Sequence, residues 1–206
     1  ELNVLELVYY AEVNHPIESF IERHVPNDFN FNDQWYLDND GSYGEVDADV
    51  DLPEAWAIEK GSDDVVLAII DGGVQFNHPE FDGRRYINLN EIPNNGLDDD
   101  GNGYVDDFSG WDFVDGDSNP NDGNGHGTAV AGIAAANGDD SLGFAGVDWN
   151  CRIMSVRVLN NSGGGDYFNL AAALYYVADN GVDVVNMSLG GLGTSQTVEE
   201  AVEYAA

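Results

Sequence analysis

The chain has 206 residues, 43% of them hydrophobic, enough to bury the core of one α/β domain and too few for two. Six Lys and Arg stand against 39 Asp and Glu, a formal net charge of -33 that repels phosphate backbones and anionic lipid and argues against nucleic acid as a partner. Such a charge opposes compaction unless cations or salt screen it, so bound divalent ions or a saline, extracellular setting are expected.

The first residue is Glu1, with no basic and apolar leader, so a secretion signal is read as already removed or never included. Leu7-Val8-Tyr9-Tyr10 is strand-like, and Pro26-Asn27-Asp28 reads as a turn or boundary. Val65 to Ile70 is a short β-branched run suited to a strand buried on both faces. From residue 88 to 122 the chain is acidic, and no Lys or Arg occurs between Arg85 and Arg152. His126 to Asn137 is rich in Ala and closes at Gly138, which suits a helix with a glycine C-cap. Two more buried strands are expected at Arg152–Leu159 and Val182–Leu189, separated by a helix from Asp166, its N-cap, to Asp179 with Gly181 just past its end. Val198, Ala201, Val202 and Ala205 recur at helical spacing up to the last residue, so the piece reads as ending inside a helix. The apolar runs are too short to cross a bilayer, and the single Cys151 falls in an apolar pattern that suits a buried thiol.

Strands alternating with helices of this length imply an α/β fold with a parallel sheet flanked by helices and right-handed crossovers, incomplete at the C-terminus. Function in such a sheet gathers at the carboxyl ends of strands. Asp71 directly follows one strand, Ser188-Leu189-Gly190 closes another, and His126 opens a helix. A carboxylate followed by Gly72-Gly73 can be held rigidly beside a partner, and a histidine facing the positive end of a helix is favoured in the neutral form a general base needs.

Three segments, Asp71-Gly72-Gly73, His126-Gly127-Thr128-Ala129-Val130-Ala131-Gly132 and Val184-Val185-Asn186-Met187-Ser188-Leu189-Gly190-Gly191, in that order, resemble the subtilase family over about residue 28 to the end. The resemblance implies a subtilisin-like three-layer fold and a serine endopeptidase in which Asp71 orients His126 and His126 takes the proton of a serine. Gly72 stands where the family usually has Ser or Thr, which removes a hydroxyl but keeps the carboxylate. Gly193-Thr194-Ser195 matches the start of the family's nucleophile motif but continues Gln196-Thr197 and comes too soon after Leu189, so Ser195 or Thr197 is read as the N-cap of the last helix, Thr197 with Glu200 giving a capping-box pattern. The nucleophile is therefore expected beyond these residues, and the 206-residue piece alone is expected to be inactive. Gly163-Gly164-Gly165 and Ser188-Leu189-Gly190 resemble the two backbone segments that clamp an extended peptide by strand addition, which makes a peptide or protein the expected substrate.

Within the acidic insertion Asp98, Asp100, Asn102, Tyr104 through its carbonyl, Asp106 and Asp107 place hard oxygen donors at mostly alternating positions, with Gly103 at a turn and no nearby His or Cys, a pattern suited to calcium. Asp115, Asp117, Asn119 and Asp122 form a second acidic group that could hold another ion. Val25 to Leu37 resembles the start of a mature subtilase, so residues 1–24 are assigned to the tail of an inhibitory propeptide or an N-terminal arm, and residues 25–206 to the N-terminal portion of the peptidase domain, whose remainder is then an expected partner. The rival expectation is a non-catalytic calcium- or peptide-binding module on the same fold.

Overall fold

Four strands run parallel in one sheet. β1 (Val66–Asp71) lies at the centre, with β3 (Arg152–Arg157) on one side and β4 (Val184–Asn186) on the other; β2 (Gly110–Asp112) flanks β3, giving the order β2-β3-β1-β4. This is read from a computed structural model that describes residues 22–206. The strand expected at Leu7–Tyr10 and nearly all of the arm assigned to residues 1–24 lie outside the described residues; Arg23, within them, pairs with Asp38 and Glu54.

The two-residue alternation of β1 builds the layers. Leu67 and Ile69 face α2 (His126–Ala135), packing with Val74, Phe81, Ala131, Ala135 and Ile153. Ala68 and Ile70 face the other way, into a cluster with Met154, Val156, Leu174 and Val177 beneath α3 (Tyr167–Asp179) and Ala201 of α4 (Gln196–Ala205). With both faces covered, each buried Ile, Val or Leu contributes roughly 1.5–3 kcal/mol of transfer free energy, and the expected three layers are present. A third core, Phe31, Leu37, Leu52, Trp56, Ala145 and Trp149, closes the end that carries the short helix α1 (Leu52–Trp56). Among the described residues no helix is long and apolar enough to cross a membrane.

Helix α2 and strands β2 and β4 differ from the sequence expectation, and β3 ends at Arg157 instead of Leu159. Helix α2 stops at Ala135 because Ala136 is already extended, at φ -60° and ψ 150°, so Gly138 is not its cap. Gly138 is small for another reason: a Cβ there would lie 2.3 Å from the Trp149 indole. Strand β4 is three residues long, entered where the Asp183 N–H donates to the Val66 carbonyl and the Asp183 carboxylate accepts the Val66 N–H. Beyond Asn186 the chain leaves the ladder. Strand β2 was not anticipated, because its central-layer position buries Asp112, which an acidic stretch does not advertise; the Arg157 guanidinium neutralises Asp112 there and also reaches Asp115 at 2.7 Å.

Candidate active site and acidic clusters

Strand β1 delivers Asp71 to the sheet edge completely buried. A carboxylate out of water must be compensated in full. Here the Gly72 N–H donates to Oδ1 at 2.6 Å, and His126 Nδ1 lies 2.9 Å from both carboxylate oxygens. A ring nitrogen facing two carboxylate oxygens carries the proton, which makes Nε2 the acceptor of this half-exposed imidazole. The hydrogen bond it donates to Asp71, then the charge of that carboxylate, hold His126 above the usual imidazole range, with Asp122 adding in the same direction. The helix N-terminus, expected to favour the neutral ring, is outweighed by this pair.

Two features place the ring. Gly127, the second residue of α2, permits the approach of helix to strand, since a Cβ there would lie 2.2 Å from the Gly73 carbonyl oxygen and 3.1 Å from Asp71 Oδ1. Asp122 organises the turn into α2: its Oδ1 accepts the N–H groups of Asn124 and Gly125, both at 2.8 Å, and its Oδ2 accepts the Thr128 N–H at 2.9 Å and hydroxyl at 2.6 Å. Burial alone would raise the Asp122 carboxyl, but the Thr128 hydroxyl and the backbone N–H groups outweigh it and hold the group below the usual carboxylate range. Sequence reading grouped Asp122 with possible metal ligands; the Asp-x-x-x-His-Gly-Thr spacing was the signal for its capping role.

A cavity of about 240 Å³ is lined by Asp71, Gly72, His126, Leu159, Gly163 and Ser188-Leu189-Gly190, together with Asn124. It adjoins a larger one, about 830 Å³, that shares Gly163, Leu189 and Gly190 and adds Gly164, Gly165, Tyr167 and Leu170. All six glycine, serine and leucine positions singled out for peptide binding thus border one surface with the Asp–His pair. The glycines serve the backbone more than the cavity. Gly163, at φ 77°, closes the turn in which Asn160 N–H meets the Gly164 carbonyl at 2.8 Å, and a Cβ on Gly165 would lie 2.6 Å from the Val158 carbonyl oxygen. Only at Gly190 would a Cβ meet open space among these positions and their neighbour Gly191. Among the described residues no serine hydroxyl is hydrogen-bonded to His126. Ser188 Oγ pairs with Asn186, and Ser195 is the N-cap of α4, accepting the Val198 N–H, so the cap is Ser195 and the Thr197–Glu200 box does not form.

In the acidic insertion, carboxylate oxygens of Glu91, Asp100 and Asp107 come within 4.8 Å of one another. Glu91 and Asp107 are buried, and Glu91 Oε2 has no hydrogen-bond partner. Two of the six anticipated ligands are therefore in this group, and Asn102 bridges Asp100 and Asp107 through its side-chain N–H. Asp98 and Asp106 are used locally: Asp98 accepts the N–H groups of Gly101, Asn102 and Gly103, and Asp106 those of Asn95 and Gly96. The Tyr104 ring packs on Trp111, Phe113 and Tyr176. Glu91 was missed because it precedes the repeating Asp pattern. Asp115, Asp117 and Asp122 are not brought together among the described residues: Asp115 pairs with Arg157, Asp117 accepts the Asn119 N–H, and Asp122 caps α2.

A further group, Asp28, Glu80 and Asp140, also places carboxylate oxygens within 4.8 Å. Asp28 and Glu80 are buried, and Asp28 Oδ1 and Glu80 Oε2 lack partners. Burial first of all raises both carboxyls above their ordinary range. No spacing rule could find this group, since three distant segments supply it. Both groups offer only hard oxygen donors, which fits a cation of the calcium class and not a soft metal.

Residues 62–206 match the model of the subtilase family. The chain is 41% identical over 156 residues to thermitase of Thermoactinomyces vulgaris, covering 76% of this chain and 48% of that protein. It is 38% identical over 157 residues to a halolysin-like extracellular serine protease of Natrialba magadii, covering 74% of this chain and 26% of that protein. Among solved structures, a protease from Pseudoalteromonas arctica superposes with a TM-score of 0.64 at 29% identity, covering 87% of this chain and 55% of that one. The chain thus spans about half the length of thermitase.

Proposed function

Because the chain belongs to the subtilase family, we propose that the intact protein is a serine endopeptidase that cleaves peptide or protein substrates, with Asp71 and His126 as the acid and base of its triad. The observation that carries this reading is the geometry at His126: Nδ1 is held by both oxygens of a buried carboxylate, and Nε2 is left free beside a cavity bordered by Gly163 and Ser188-Leu189-Gly190. His126 Nε2 takes the proton of a serine hydroxyl as that oxygen attacks the scissile carbonyl, then returns it to the leaving amine, while Asp71 holds the ring and stabilises the imidazolium. The serine is supplied by sequence outside these residues. The backbone of Gly163–Gly165 and Ser188–Gly190 pairs with the substrate main chain, and the larger adjoining cavity takes its side chains. The test is peptide hydrolysis by the intact protein with and without a serine-directed inhibitor; hydrolysis that persists in its presence would refute the reading.

Calcium is the proposed cofactor, held by Glu91, Asp100 and Asp107 and by Asp28, Glu80 and Asp140. Buried carboxylate oxygens without donors support this, since each costs on the order of 1–3 kcal/mol until a cation or proton meets it. Bound calcium supplies charge neutralisation, and the residues supply the cage. Secretion is proposed with it, as a calcium-rich, saline setting screens a net charge of -33 and one relative is extracellular. Residues 1–24 are proposed as a propeptide tail or arm.

A further inference from the structure

We infer that Tyr176, on the buried face of α3, is a positioning residue for the cation site of the acidic insertion and ties that site's occupancy to the core helix. The inference rests on the proposal that Glu91, Asp100 and Asp107 hold a cation. Asp107 is fully buried, and its Oδ2 accepts two donors: the Tyr176 hydroxyl at 2.8 Å and Asn102 Nδ2 at 3.0 Å. Its Oδ1 has one long contact, Asn88 Nδ2 at 3.3 Å, so the two well-made bonds on Oδ2 fix the plane of a carboxylate that comes within 4.8 Å of oxygens of Glu91 and Asp100. Asn102 belongs to the insertion itself and moves with it. Tyr176 does not: it is 2% exposed, its ring is packed edge-on against Tyr104 and Phe113, and its helix neighbours Leu174 and Val177 pack in the cluster that covers β1 and β3. A buried phenol needs an acceptor, and among the described residues Asp107 is the one it has. The bond therefore runs from a rigid core helix to a cation ligand, with a span of 69 residues between its ends.

Tyr176→Phe keeps the ring and removes the donor. In chelator-stripped intact protein titrated with terbium(III), whose emission Tyr104 and Trp111 can sensitise, the step that Asp107→Asn abolishes marks this site. Tyr176→Phe is expected to raise the midpoint of that step about tenfold, the usual scale for losing a partner that orients a ligand. Tyr175→Phe, on the adjoining, more exposed position, is expected to leave it unchanged. A loss that is only structural would lower the chelated melting temperature and leave the midpoint alone. Hydrogen exchange in the unmodified protein gives a second reading that needs no variant: amides of Leu174–Asp179 should slow when calcium is added. An unshifted midpoint in Tyr176→Phe, or α3 exchange indifferent to calcium, overturns the inference while leaving the cation site standing. Absence of any step sensitive to Asp107→Asn overturns both.

Discussion

Two buried carboxylate systems in this molecule are compensated in opposite ways. At the sheet edge Asp71 is sealed from solvent yet complete, with one backbone N–H and an imidazole Nδ1 spanning both oxygens. In the acidic insertion Glu91 is also buried, receives the N–H groups of Asp99 and Asp100 on Oε1, and leaves Oε2 without a donor beside two other carboxylates. The first system carries its own counter-group, and the proposed function gives the chemistry to that group. The second calls for a cation from outside. Burial of an acid is therefore not itself a sign of catalysis; what matters is whether the protein supplies a partner that can move a proton.

The contrast breaks most visibly at the histidine. His126→Ala in the intact protein should lower kcat by about 10⁶-fold, measured with a peptide substrate, and should also lower Tm, because Asp71 stays buried without the partner that compensates it; a native circular dichroism spectrum at the assay temperature separates the two effects. Asp71→Asn should lower kcat by about 10⁴-fold, since the amide cannot hold the ring in the required tautomer or stabilise its charge. The base must be neutral, and Asp71 holds the His126 pKa above the usual range, so kcat/KM should fall as pH drops through that raised value. Asp71→Asn should move this acid limb to lower pH; an unmoved limb would mean another group sets it.

The second system should respond to ions instead. Chelation should lower Tm by roughly 5–10 °C, the effect of losing a ligand present at about a hundred times its Kd from a domain of this size. Glu91→Gln should remove part of that difference and leave kcat unchanged. Smaller still are two backbone tests. Gly127→Ala forces a Cβ to within 2.2 Å of the Gly73 carbonyl and should cost roughly 1–3 kcal/mol in denaturant melts, with a loss of activity as helix and strand separate. Ser195→Ala removes the α4 cap, should cost about 1 kcal/mol and should leave turnover intact.

Much of the first system was legible in sequence because its signals are local. Val66 to Ile70 alternates between two cores, Asp71 ends that strand, and His126 opens an Ala-rich helix, so strand, helix and site each follow from a short run. The order of these runs carried the family. What escaped was non-local. Asp28, Glu80 and Asp140 meet only after three segments fold together, and Glu91 joins Asp100 and Asp107 from outside their repeating pattern. Strand β2 was hidden because Asp112 is stabilised by Arg157, some 45 residues away. Asp98 and Asp106 fit a ligand spacing, yet each folds back on nearby N–H groups, the ordinary habit of aspartate in turns. The helix end at Ala135 was misread because Gly138 looked like a cap and is in fact making room for Trp149.

On the proposed function, Asp71 and His126 are the acid and base of a triad whose nucleophile lies outside residues 1–206. Labelling the intact protein with a fluorophosphonate and mapping the modified peptide tests this assignment. The label should fall on a serine outside residues 1–206 and vanish in His126→Ala; a label on Ser195, or labelling undiminished in His126→Ala, would contradict it.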